Sequence, residues 1–176
     1  MREFVAVDVA GAAADRQGSP GHLTLGFLGE VRAEQNDGIG LRLAAVARQT
    51  RPFRLRLEGV GAFPSVSRPR VVWIGVSTGR EEVVRLAEKV RAALAAELPP
   101  EPAAFVPHVT WFRVRSVEDA RAAAEALSGR RAAPAPREVA VGELLLKESV
   151  LGPGGARHRT IATFPLGEAV PPGRRG

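Results

Sequence analysis

Two short stretches repeat one pattern. Gly21-His22-Leu23-Thr24-Leu25-Gly26-Phe27 and Pro107-His108-Val109-Thr110-Trp111-Phe112-Arg113 both read His-apolar-Thr-apolar. On a β-strand alternate side chains share a face, so each copy sets an imidazole beside a hydroxyl while Leu23 or Val109 points the other way, into a core. An imidazole titrates near about 6.5, so one ring of a pair can be neutral while the other is protonated. Two such rings on opposite sides of a phosphodiester could take a proton from the attacking oxygen and give one to the leaving oxygen, each contributing roughly 10²–10⁴ in rate. The threonine hydroxyls, backbone amides and an arginine could hold the non-bridging oxygens as charge gathers there. This chemistry asks for no metal, and three histidines without a cysteine or suitably spaced carboxylates make a metal hydrolase the weaker reading.

A single buried His beside a Thr is ordinarily a satisfied structural pair, and only duplication argues for catalysis by His22 and His108 with Thr24 and Thr110. The third histidine, in His158-Arg159-Thr160, has the same spacing but carries Arg159 where the other copies carry Leu23 and Val109. It keeps the structural reading as a motif copy. Arg113 lies at an odd offset from His108, so it reaches the same face only through a twist or bulge in the strand. Trp73 and Trp111 read as core residues rather than as platforms for bases.

These motifs need strands in matching surroundings, and the chain supplies them. Phe4 to Val9 reads as a first strand, Ala10 to Gly21 as a loop, and the first motif as a strand running to Leu28. A helix is expected late in 31–50. Phe53 to Val60 alternates apolar and charged residues as a half-buried strand does. A Gly/Pro/Ser loop over 61–69 precedes a strand at Val71 to Val76. The apolar spacing over Glu81 to Leu98 predicts a helix, capped by Ser77 or Thr78 and stopped by the prolines at 99–102, a hinge between lobes. After the second motif come a helix from Ser116 to Leu127, a loop, one long strand from Arg137 to Val150, a Gly-rich turn, and a last strand from His158 to Leu166. Residues 167–176 read as a flexible tail. Phe53 lies 29 positions after Thr24 and Arg137 lies 27 positions after Thr110, which suggests a duplicated architecture with both motifs facing one cleft about a pseudo-twofold axis. The whole chain, 1–176, is then one bilobal domain of two intertwined lobes, with motifs at 22–25 and 108–111.

A chain of 176 residues with 45% hydrophobic content can bury a substantial core. Its net charge of +6 comes almost wholly from arginine, since Lys89 and Lys147 are the only lysines. Guanidinium forks suit phosphates, although arginine bias can also reflect genome composition. Without cysteine the chain has no disulfide and no thiolate chemistry. The acidic, alternating N-terminus is unlike a signal peptide, and no apolar run is long enough to span a bilayer. The expectation is a cytoplasmic monomer with no membrane partner, acting on RNA ends or cyclic nucleotides.

Taken together, the paired motifs resemble the 2H phosphoesterase superfamily. Gly61-Ala62-Phe63-Pro64, Arg70-Val71-Val72-Trp73-Ile74-Gly75-Val76, Phe105-Val106-Pro107 and Phe164-Pro165-Leu166 add a resemblance to its branch of RNA 2′,3′-cyclic phosphodiesterases, also called 2′-5′ RNA ligases. The resemblance implies a bilobal α+β fold, with two antiparallel sheets flanking a central cleft and helices outside. It also implies hydrolysis of an RNA-terminal 2′,3′-cyclic phosphate to a 2′-phosphate without cofactor or metal, with reversible 2′-5′ ligation as a side activity. Carried over, His22 is the acid protonating the 3′ leaving oxygen, His108 the base activating water, and Thr24 and Thr110 the phosphate ligands. Two departures stand out. Only Ala10 to Gly21 separates the first strand from the first motif, where the branch places a helix and an aromatic residue. His158 stands where the branch often has tyrosine, which makes it, like Arg113, a candidate for substrate binding. Two other activities fit the same residues: a phosphoesterase for small cyclic nucleotides or ADP-ribose cyclic phosphate, and a module that holds RNA ends without turning them over.

Overall fold

The computed structural model describes residues 1–9, 21–99, 104–152 and 155–167. Among the described residues, eight strands and three α-helices follow one another as β1 (Arg2–Asp8), β2 (His22–Glu30), α1 (Asn36–Arg48), β3 (Phe53–Ser65), β4 (Arg68–Val76), α2 (Arg80–Ala93), β5 (His108–Arg113), α3 (Val117–Leu127), β6 (Arg137–Val141), β7 (Glu143–Gly152) and β8 (Gly155–Pro165). The strands order as β6-β3-β4-β5-β2-β1-β7-β8, every pair antiparallel. Two four-stranded sheets are thus present, one ending in each motif strand. They join into a single eight-stranded sheet through one ladder position, Leu23 opposite Val109.

The motif strands sit at the centre because their intervening residues belong to the core. Leu23 is fully buried and Val109 is 1% exposed. Both join a cluster that includes Val5 and Val7 of β1, Ile39 and Leu43 of α1, Leu86 and Val90 of α2, Leu55 of β3 and Ile74 of β4. Helix α1 packs on β7, β8 and α2, α2 packs on β2, and α3 packs on β3 and β4. A smaller cluster of Val72, Phe112, Ala122 and Ala123 lies under α3, whose alanines let it approach the sheet closely. Helix α3 begins with a capping box in which Ser116 Oγ accepts from the Asp119 amide at 3.1 Å while the Asp119 carboxylate accepts from the Ser116 amide at 3.2 Å.

Several local expectations change. The 61–69 stretch is not a loop: β3 runs on to Ser65 and β4 starts at Arg68. The expected long strand over 137–150 breaks at Gly142, so β6 pairs with β3 in one half and β7 with β1 in the other. Helix α2 is regular only to Ala93, and its N-cap is Gly79 rather than Ser77 or Thr78. Glycine fits there because φ is +76° and a Cβ would lie 2.3 Å from the Arg54 carbonyl oxygen. β8 begins three residues before His158. The duplication also maps differently in space. The strand beside β5 is β4, but the strand beside β2 is β1, while β8 takes the outer edge. The segment 10–20, residues 100–103 of the expected hinge, and the tail beyond 167 lie outside the described residues.

Candidate active site

Antiparallel pairing about Leu23 and Val109 places His22 across from Thr110 and Thr24 across from His108. All four side chains share the face opposite the core, half-buried, in an arrangement that is nearly twofold. The two histidines are then diagonal neighbours, with backbones about 7–8 Å apart in an ordinary ladder. That gap suits a tetrahedral phosphate touched by a ring on either side. Leu23, Val109 and the helices behind them fix the strands, so the quartet is carried by the rigid middle of the sheet.

His108 has a defined tautomer. Its Nδ1 lies 2.8 Å from the Val106 carbonyl oxygen, which can only accept, so the proton sits on Nδ1 and a neutral ring keeps its lone pair on Nε2. Burial holds the imidazole below its usual 6.5; the bond to Val106 opposes that effect, and the positive charge of Arg113 adds to it. Phe63 stands edge-on to the His108 ring at 4.9 Å and Trp73 lies 6.0 Å from it, so aromatic rings are among the groups that bury it.

Arg113 reaches this face by the bulge its offset requires. On β4, Trp73 pairs with Thr110 and Val72 with Phe112, which leaves Trp111 as the extra residue, and Arg113 then pairs with Val71 on the side of Thr110 and His108. Trp111 turns to the core clusters, as expected of it. Trp73 is half-buried on the cleft face and lies flat over Gly61, where a Cβ would come within 2.2 Å of its indole ring. Gly61→Ala is therefore expected to displace Trp73 and with it His108, costing roughly 1–3 kcal/mol as an overpacked site does. Denaturant unfolding and the shape of the tryptophan emission would check it; unchanged values for both would show that the indole has room to move.

On the other half, His22 packs on Phe4 with ring centroids 5.0 Å apart. His158 stands edge-on to His22 at 4.7 Å and to Phe4 at 5.1 Å. So the third histidine, which fails as a motif copy, nevertheless lies beside the first. Arg159 points to the opposite face, as its neighbour's position demands, and is accommodated there by Glu148, a carboxylate 7% exposed that accepts from Arg159 at 2.7 and 3.2 Å. Lys147 was not singled out by sequence, but pairing with Phe4 sets it on the cleft face, where its Nζ donates to Thr160 Oγ1 at 2.9 Å. Phe4, Phe63 and Gly61 were likewise invisible as site residues, because nothing in an alternating strand says which of its faces will line a cleft. Among the described residues no three His, Asp or Glu side chains gather where they could hold a metal ion, and no helix is long and apolar enough to cross a membrane.

Known proteins resemble this chain in sequence and in fold. An RNA 2′,3′-cyclic phosphodiesterase of Aeropyrum pernix is 36% identical over 80% of this chain and 78% of its own. One from Archaeoglobus fulgidus is 34% identical over 93% of this chain and 99% of its own. Among solved structures, TT0787 of Thermus thermophilus superposes with a TM-score of 0.75 at 27% identity, covering 96% of this chain and all of the other. Escherichia coli LigT complexed with 3′-AMP superposes at 0.72 with 26% identity, covering 95% and 98% of the two chains. The sequence pattern of the 2′-5′ RNA ligase superfamily matches residues 9–150, a span that contains both motif strands. With the family pattern, the relatives and the fold in agreement, this chain belongs to the 2′-5′ RNA ligase superfamily of 2H phosphoesterases.

Proposed function

We propose that the protein hydrolyses the 2′,3′-cyclic phosphate at an RNA end to a 2′-phosphate, and that His22 and His108 do the proton transfers. Water attacks phosphorus from the His108 side and loses its proton to Nε2 of that ring. The bond from phosphorus to the 3′ oxygen breaks, and the departing oxygen takes its proton from His22. Thr24 and Thr110 donate to the non-bridging oxygens as charge builds on them, with Arg113 adding positive charge on the His108 side. With the 5′ hydroxyl of another RNA end in place of water, the same step joins a 2′-5′ linkage with the rings in the same roles. They exchange roles when a 3′ hydroxyl attacks that linkage and expels the 5′ oxygen to re-form the cyclic phosphate. His158 borders the His22 ring and completes that wall of the substrate site.

The observation that carries this reading is the central pairing of Leu23 with Val109, which supports it because an antiparallel ladder about that pair makes the two His-Thr pairs neighbours on one face. The lowered proton affinity of His108, which burial causes, supports its choice as the base. The deciding experiment treats an oligoribonucleotide ending in a 2′,3′-cyclic phosphate with enzyme and EDTA, then locates the product phosphate by ³¹P NMR. A 2′-phosphate is expected; a 3′-phosphate would mean that the other ester oxygen leaves, and loss of turnover on chelation would remove the two-histidine scheme.

The pH dependence follows in sign. A base whose proton affinity is reduced stays neutral further into acid, so the acid limb of kcat/KM should have its midpoint below 6.5. Because the Arg113 charge is one cause of the shift, Arg113→Met should move that midpoint upward. A downward move, or a wild-type midpoint above 6.5, would contradict the assignment of His108.

A further inference from the structure

Arginines whose charge no carboxylate takes up gather at one end of the His108 half. Val114 lies just past β5; its amide donates to the Arg70 carbonyl oxygen at 2.9 Å, and its side chain joins the cluster under α3. Arg113 and Arg115, on either side of it, therefore turn to the cleft side, and both are exposed. Strict alternation along β4 would put Arg68 with Val72, under α3. Instead β4 is bulged at Arg70: Phe63 pairs with Val71 and Pro64 with Pro69, so Arg68 pairs with Ser65 on the face of Phe63. Among the described residues, neither Arg68, Arg113 nor Arg115 forms an ion pair. The carboxylates next along the chain are Glu118 and Asp119 in the first turn of α3, and Asp119 accepts from the Arg115 and Ser116 amides at 3.0 and 3.2 Å. At the matching end of β2, Arg2 instead pairs with Glu30 at 3.2 Å.

We propose that Arg68 and Arg115 hold a second RNA strand, the one whose 5′ hydroxyl replaces water when a 2′-5′ linkage is made. The inference rests on the functional reading above, in which the nucleophile approaches from the His108 side. In that step the 5′ oxygen bonds to phosphorus and gives its proton to His108, while the bond to the 3′ oxygen breaks and that oxygen takes a proton from His22. Both ester oxygens of the cyclic phosphate belong to one ribose, so the strand that ends in it occupies the His22 half. The attacking strand then arrives over the His108 half. Water needs no surface there, whereas an oligonucleotide brings a phosphate with every step. Arg113 meets the reacting phosphate. Arg115, about 6–7 Å further along extended chain, and Arg68 on the neighbouring strand lie where the next phosphates of the incoming strand pass. Guanidinium forks suit those oxygens, and contacts to the backbone select no sequence.

The test uses two oligoribonucleotides. Strand A carries a 5′ phosphate and ends in a 2′,3′-cyclic phosphate; strand B has a 5′ hydroxyl and a 3′ end blocked by a dideoxynucleotide. Equilibrium binding of B, ligation of A to B and hydrolysis of A are measured in wild type, Arg68→Gln, Arg115→Gln and the double variant. Arg85→Gln, which removes the same charge from α2 behind the sheet, is the control. Each cleft-side variant should weaken B, and raise its KM in ligation, roughly 2- to 5-fold, and the slope of log affinity against log salt should fall by about 0.7 per arginine, about 1.4 in the double variant. Hydrolysis of A, and every property of Arg85→Gln, should stay at the wild-type level. An unchanged salt slope, an equal loss in Arg85→Gln, or a KM for hydrolysis of A that rises as much as that for B would overturn the proposal. Activity separates it from the reading beneath. If B binds through the two arginines but A is neither hydrolysed nor ligated, the activity is wrong and the surface stands. If A is hydrolysed to a 2′-phosphate while B binds the double variant as it binds wild type, the activity stands and the surface falls.

Discussion

His108→Ala and His22→Ala are each expected to lower kcat/KM for an RNA 2′,3′-cyclic phosphate by about 10²–10⁴, with the fold retained. The two losses should differ in signature. Without His108 the acid limb of the pH profile disappears, because the group that must be neutral to accept a proton is gone. Without His22 the limb on the alkaline side disappears, because no ring needs to stay protonated. The double variant should fall little further than the worse single one, since an acid and a base acting in one transition state fail together. Retention of the fold is a separate measurement with its own expectation. Both rings are half-buried against aromatic neighbours, Phe4 and His158 for His22, Phe63 and Trp73 for His108, so each truncation should lower Tm modestly while the Leu23–Val109 centre holds. Either variant retaining wild-type turnover would end the paired mechanism, whatever the stability data show.

Much of what places those rings is legible in the chain itself. Alternation alone marks Phe53 to Val60 and the motif strands, and helical spacing marks α2, because burial of one face is a local pattern. What fails is whatever depends on a distant partner. Gly61 looks like punctuation in a loop, yet it sits within a strand because the Trp73 ring covers it and leaves no space for a side chain. Gly142 looks like one more residue of a strand, yet it is where the chain leaves one half-sheet for the other. The face of Arg113 depends on a bulge at Trp111, and that of Phe27 on a bulge at Leu25; each is a register shift set by pairing with another strand. His158 illustrates both sides. Its sequence neighbour Arg159 disqualifies it as a third motif, and the structure agrees by sending Arg159 to Glu148. Only the topology, with β8 at the edge of the His22 half, brings the ring next to His22.

The threonines give the second large effect, and the near-twofold arrangement lets its size be argued for one against the other. Thr24→Val and Thr110→Val keep the β-branched shape that suits a strand and remove only the hydroxyl. If each hydroxyl donates to a phosphate oxygen on which charge grows, losing one should cost roughly 10²–10³ in kcat, with a smaller change in KM because the ground state carries less charge there. Serine at either position should recover much of the loss. The two sites are not equivalent, however. Arg113 shares the face of Thr110 and His108 and can partly neutralise an oxygen left without its donor, whereas the corresponding stretch of β2 carries Phe27. Thr24→Val should therefore lose at least as much as Thr110→Val, and the gap should close in an Arg113→Met background. A KM increase with kcat untouched would show that the hydroxyls bind substrate and transition state alike. A larger loss at Thr110 that Arg113→Met leaves unchanged would mean the guanidinium does not reach the phosphate.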